Sequence, residues 1–181
     1  MGVVVFSFID QLKSALLSKL KMAMVCMIAL SLLSLNAQAA ELGDEAIDFD
    51  LKTLSGDDFS LSSYRGKKPV YLIFWATWCP ICKAEIPKFK ELHAKYGDKI
   101  EFLAINVGFE DSLEKAIAYQ EQNQLPYNVA FDKNTVITKE YDVIGTPWQV
   151  IIDINGTVRY FSNYTPENLG EHIDDLLKVA G

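Results

Sequence analysis

Apolar and polar positions alternate at the start of the globular part of the chain. Phe49-Asp50-Leu51-Lys52-Thr53-Leu54 and Phe59-Ser60-Leu61 flank Gly56-Asp57, which predicts a β-hairpin. Val70-Tyr71-Leu72-Ile73-Phe74-Trp75 is a continuous apolar run opened by Pro69, the pattern of a central strand buried on both faces. The period then changes. Ile86, Phe89, Leu92 and Tyr96 recur at helical spacing, predicting a helix from Ile81 to Tyr96 that Pro87 kinks and Gly97 stops. Ile100 to Val107 reads as another strand. Ser112 caps a helix reaching about Gln122, with Leu113, Ala116, Ile117 and Gln120 along one side. Tyr127 to Phe131 predicts a short strand and Asn134 to Tyr141 a short helix. Trp148 to Asp153 is a strand that Asn155-Gly156 turns into Thr157 to Phe161. Thr165 caps a last helix, whose Leu169, Ile173, Leu176 and Leu177 face inward.

This order of elements implies an α/β domain: a central mixed sheet flanked by helices, with an N-terminal β-hairpin extension. A length of 181 residues fits one domain and a tail. No internal repeat, linker or low-complexity tract interrupts it.

Ahead of the first strand the chain changes character. Lys19 and Lys21 precede an apolar run from Met22 to Leu35, and Asn36-Ala37-Gln38-Ala39-Ala40 follows. These are the three parts of a secretory signal peptide. Residues 1–39 are therefore expected to be a signal, cleaved after Ala39 with Ala40 as second choice, and residues 40–181 the mature domain. The alternative is an uncleaved anchor, but the run is shorter than the ~20 residues a spanning helix needs. The stretch ahead of Leu20 is longer than a signal requires, so the true start is expected near Leu20. Cys26 leaves with the signal.

Half of the chain is hydrophobic and 23% is charged, which excludes a disordered protein. The formal net charge is -7. Residues 1–40 hold Lys13, Lys19 and Lys21 against Asp10 alone, so the net negative charge lies in the domain. No nucleic-acid partner is expected, since phosphate binding needs clustered Lys and Arg.

The mature chain keeps only Cys79 and Cys82, in Trp78-Cys79-Pro80-Ile81-Cys82-Lys83. A haem attachment site needs His directly after the second Cys, where Lys83 stands. A closed zinc site needs four ligands, and His93 and His172 fit no common zinc spacing. Neither a metal site nor a cofactor is expected. A structural disulfide across so short a loop would stabilise little. A redox-active pair is the reading the residues favour.

Cys79 follows a buried strand and opens a helix, among free backbone N–H groups at the positive end of the helix dipole. The thiolate is the attacking species in disulfide exchange, so Cys79 is the expected nucleophile. Cys82, one turn on and expected to be the more buried, resolves the mixed disulfide. That step requires Cys82 to lose a proton in apolar surroundings, where a base would help. Glu85 lies three residues further along the same helix face. It is either that base, exchanging a proton with Cys82, or a solvated surface glutamate, which spacing alone favours.

Trp75-Ala76-Thr77-Trp78-Cys79-Pro80-Ile81-Cys82, Gly145-Thr146-Pro147 before a strand, and Leu61-Ser62-Ser63-Tyr64-Arg65-Gly66 together resemble the thioredoxin superfamily. More closely they resemble its exported TlpA/ResA-like branch, a redoxin (AhpC/TSA-like) domain. The resemblance covers roughly residues 44–179. It implies a thioredoxin-like fold and an exported, periplasmic thiol-disulfide oxidoreductase with a Cys79–Cys82 disulfide. The implied role is a reductase of protein disulfides of the cytochrome c maturation type. Its implied partners are a disulfide-bearing substrate protein and a membrane-embedded thiol donor, with membrane attachment only if the signal is retained. By the same analogy Pro147 is a cis proline against the disulfide, and the backbone of Thr146 pairs with a substrate strand. Trp78, Pro80 and Ile81 complete the expected docking surface.

The ResA-like branch carries a glutamate at the position of Glu85, which moves the choice toward a functional base. The buried Asp of cytoplasmic thioredoxins, six residues before the first Cys, is here Ile73. Trp148 departs from the small or β-branched residue expected after the proline; it narrows the substrate groove or packs the strand. Trp75 is expected to support the core, and His93 and His172 to be surface residues. Two other functions compete. A Cu(I)-binding thiol module would want further His or Met ligands near the pair. A peroxiredoxin-like peroxidase would want Thr where Ala76 stands.

Overall fold

The structure, a computed structural model, describes residues 42–179 together with Lys19, Lys21, Met22 and Met24. The predicted export segment otherwise lies outside the described residues. Among the described residues no helix is long and apolar enough to cross a membrane.

The apolar run becomes β3 (Val70–Trp75), with every residue buried, at the centre of a five-stranded sheet. On one side it pairs in parallel with β4 (Glu101–Asn106), which pairs in parallel with β5 (Asn128–Phe131). On the other it pairs antiparallel with β6 (Trp148–Ile152), which pairs antiparallel with β7 (Val158–Ser162). The sheet order is therefore β5-β4-β3-β6-β7. Before it stands the hairpin of β1 (Asp50–Lys52) and β2 (Asp58–Ser60), with Leu51 opposite Phe59. The helices are α1 (Pro80–Tyr96), α2 (Leu113–Asn123), α3 (Val136–Glu140) and α4 (Leu169–Val179).

Alternation along β3 explains why both sheet faces are covered. The Tyr71 ring meets Phe89 of α1 edge-on and Trp75 meets Tyr119 of α2. Phe74 points the other way, against Tyr141 just beyond α3. Phe49 and Phe59 of the extension stack, and Phe49 also meets Tyr141, so the hairpin packs on this second face. Residues ahead of it reach β7: Gly43 N–H donates to Val158 O and Val158 N–H to Asp44 O, at 2.8 and 2.9 Å. Residues after β1 reach β5, where Leu54 N–H donates to Val129 O at 2.7 Å.

α1 is the helix predicted to end at Tyr96, and it carries Pro87 inside it. Other local expectations are corrected. Ser112 does cap α2, accepting from Lys115 N–H, but Leu113 is exposed and only Ala116 is fully buried. The predicted helix from Asn134 is broken at its start. Asn134 and Thr135 have φ of +68° and +56°, so α3 begins only at Val136. Thr165 does not cap α4, because its hydroxyl accepts from Gln149 at 2.6 Å and its N–H donates to Glu85. His93 is half-buried against the rings of Phe102 and Tyr127 rather than solvated. Burial, the largest influence on it, holds its pKa below the ordinary value. His172 is exposed and lies over Tyr160.

Candidate active site

The end of β3 delivers the chain into a turn, closed by Cys79 N–H donating to Ala76 O at 3.2 Å. Cys79 is the N-cap of α1, with φ -79° and ψ 110°, and Pro80 takes the first helical position, where a missing N–H costs nothing. The sulfur takes the place of a capping oxygen: Cys82 N–H donates to Cys79 Sγ at 3.1 Å. An N–H aimed at that atom from a helix N-terminus favours the thiolate once the pair is reduced.

Cys79 and Cys82 are joined in a disulfide, Cα atoms 5.3 Å apart. The expectation that Cys82 is the more buried does not hold: the residues are 2% and 5% exposed. Cys79 is covered because the Thr146–Pro147 loop crosses it, with Thr146 O at 3.5 Å from Sγ. The Thr146–Pro147 peptide is cis. Pro147 and Cys82 share the wall of a small pocket of about 20 Å³, with Trp75 and Ile86.

Glu85 sits one turn beyond Cys82, part-buried. Its Oε1 accepts from Thr165 N–H at 3.1 Å, while Oε2 is buried without a hydrogen-bond partner. Thr165 continues through Gln149 to the Tyr71 hydroxyl, which donates to Gln149 Oε1. Burial, reinforced by Tyr160, Glu85 and Tyr127, pushes Tyr71 well above its ordinary pKa, so it remains a donor. Trp75 Nε1 and Thr146 Oγ1 are likewise buried and unpartnered. Buried polar atoms normally find partners; among the described residues these three exceptions all belong to residues flanking the cysteines.

Trp78, Ile81, Phe109 and Ile144 are exposed, Ile144 to 83%. Trp78, Phe109, Val143, Ile144 and Thr146 are among the residues lining an open cleft of about 340 Å³. Pro80 is exposed beside Ile81. Trp148 stacks on Phe161 across the β6–β7 pair, ring centroids 6.1 Å apart, so the strand supplies its partner.

Sequence reasoning missed the loop after β4. Asp111 Oδ2 accepts from Thr77 N–H at 2.7 Å and from Asn106 Nδ2 at 2.8 Å. Its Oδ1 accepts from the Thr77 hydroxyl at 2.8 Å and from Ser112 N–H at 3.0 Å. Burial pushes the Asp111 carboxyl up, but the donors of Asn106, Thr77 and Ser112 outweigh it and hold the pKa below the ordinary value. In the same loop Phe109 O accepts from the Trp78 indole at 2.8 Å. The one available signal was a polar Asn106 following the apolar run Phe102 to Ile105.

A disulfide at a helix N-terminus beneath the Thr146–Pro147 loop supports thiol-disulfide exchange, and the chain's relatives carry that chemistry. Residues 42–161 match the model of the AhpC/TSA family. The chain belongs to the AhpC/TSA family. The thioredoxin-like protein YneN of Bacillus subtilis is 35% identical over 135 residues, which is 73% of this chain and 78% of that protein. The thiol-disulfide oxidoreductase ResA of Geobacillus kaustophilus is 35% identical over 142 residues, 76% of this chain and 79% of that protein. A putative thiol:disulfide interchange protein DsbE from Chlorobium tepidum shares the fold, with a TM-score of 0.67 at 29% identity over 78% of this chain and 99% of that one. This AhpC/TSA-family protein is a thioredoxin-like thiol-disulfide oxidoreductase of the ResA and DsbE type. The peroxidase and Cu(I)-module alternatives are not favoured by these relatives.

Proposed function

We propose that the protein is an exported reductase of protein disulfides. Reduced Cys79 attacks one sulfur of the substrate disulfide as a thiolate, forming a mixed disulfide and expelling one substrate thiolate. Cys82 then gives up its proton and attacks Cys79 Sγ, forming the Cys79–Cys82 disulfide and expelling the second thiolate. The substrate gains two electrons and the pair loses two. A membrane-embedded thiol donor restores the pair, and the substrate is a protein of the cytochrome c maturation type. The observation that carries this reading is the Cys82 N–H directed at Cys79 Sγ from the start of α1. Trp78, Pro80 and Ile81 receive the substrate, Thr146 pairs with its backbone, Pro147 lies against the disulfide, and Trp148 borders the groove.

The reduction potential of the pair against a defined thiol buffer tests the direction. A value of about -250 mV or lower fits a reductase in an oxidising compartment; a value near about -120 mV makes the protein a disulfide donor instead.

Glu85 is the proposed base for Cys82. What supports it is the unpartnered Oε2, one helical turn from the resolving thiol. Glu85→Gln keeps the Thr165 hydrogen bond and removes the proton acceptor. It is expected to slow resolution of the mixed disulfide by roughly a hundredfold, at the lower end of general-base contributions. Formation of the mixed disulfide should be unchanged. Stopped-flow measurement of both steps across pH checks this, and equal rates for the two proteins at every pH would make Glu85 a structural residue.

A further inference from the structure

We propose that Asp111 is the positioning residue of the dithiol: it holds Thr77, and through Thr77 the turn that presents Cys79 Sγ to the start of α1. The inference rests on the oxidoreductase reading. It explains how that chemistry is held in register by a loop from the neighbouring strand.

Asp111 accepts four hydrogen bonds, two on each oxygen. Two come from Thr77, which stands two residues before Cys79 and offers both its N–H and its hydroxyl. The others tie the same carboxylate to rigid elements: Asn106 ends β4 and Ser112 caps α2. Asn106 is itself locked, because its Oδ1 accepts from Gly108 N–H at 3.0 Å, so its amide must donate toward Asp111. The turn from Ala76 to Cys79 is thus anchored in the middle to β4 and α2, not only at its ends. The same loop holds the indole of Trp78 through Phe109 O. One loop therefore sets both the nucleophile's approach and the wall beside it.

The donor set specifies a carboxylate. Thr77 N–H, Asn106 Nδ2 and Ser112 N–H can only donate, whereas the Thr77 hydroxyl can reverse and accept. An amide at position 111 can keep three of the four bonds by turning its NH₂ to that hydroxyl, losing only the bond from Ser112. Alanine loses all four. The two variants therefore separate hydrogen-bonded positioning from charge.

In Asp111→Ala the Cys79 sulfur loses its fixed place against Cys82 N–H. The Cys79 thiol pKa should rise, and single-turnover reduction of a small aromatic disulfide should slow by about tenfold at neutral pH. Asp111→Asn should recover most of the rate and of the pKa. Thr77→Ala, which removes one donor only, should move both in the same direction by less. All measurements use reduced protein at a temperature where thermal scans show each variant fully folded. If the variants lose thermal stability but keep the wild-type Cys79 pKa and rate, Asp111 only supports the fold and the proposal fails. If Asn behaves as Ala does, charge rather than positioning is responsible and the proposal also fails. A wild-type protein that reduces no disulfide would instead overturn the oxidoreductase reading.

Discussion

Cys79→Ser is expected to abolish disulfide reduction, lowering turnover by roughly a thousandfold or more, as loss of a nucleophile does. Cys82→Ser is expected to fail differently. It should complete the first attack and stop, leaving Cys79 bound to the substrate. The asymmetry follows from geometry: only Cys79 receives the Cys82 N–H and lies against the Thr146 carbonyl that borders the open cleft. Incubating each variant with a disulfide-bearing polypeptide and separating the products on a non-reducing gel checks this. A stable adduct on Cys82→Ser that thiols release is the expected result. An adduct that forms only on Cys79→Ser would reverse the two roles.

The largest stability effect is expected at Gly108. Its φ is +67°, and a Cβ there would lie 2.3 Å from Asp132 O. That oxygen cannot retreat. Asp132 N–H is bound to Asn106 O, and its carboxylate accepts from Val136 N–H and from Thr138. Backbone strain and a backbone clash therefore add, and Gly108→Ala should cost about 3 kcal/mol or more. Gly56→Ala is the matched control. Gly56 also has a left-handed φ, +94°, but nothing lies within 4 Å of its Cβ position, so it should cost only the backbone penalty of about 1–2 kcal/mol. Urea unfolding of both variants gives the comparison, and similar losses would show that the Asp132 contact yields easily.

What the sequence makes legible is what lies close along the chain. The dithiol could be read because its chemistry is local: a strand end, a cap, a proline and two sulfurs within one helical turn. The central strand could be read because its six successive apolar residues, opened by a proline, are too few for a buried helix and suit a strand covered on both faces. The Asp111 loop was hidden because its key partner, Thr77, stands 34 residues earlier, and no spacing rule links the two. Thr165 misled for a related reason. A threonine ahead of an apolar helix looks like a cap, yet its hydroxyl is taken by Gln149 of β6. At Asn134 and Thr135 the backbone is left-handed, which their residue types announce only weakly, Asn more than Thr.

The N-terminal extension has a consequence at the outer strands. β5 and β7 are the two edges of the sheet, and an open edge invites a foreign strand to add to it. Residues 43–46 bond to the start of β7, and Leu54 bonds to β5. One continuous segment thus occupies part of both edges from the same side of the sheet, like a strap buckled at each end. A foreign strand therefore finds those two margins partly closed to β-augmentation.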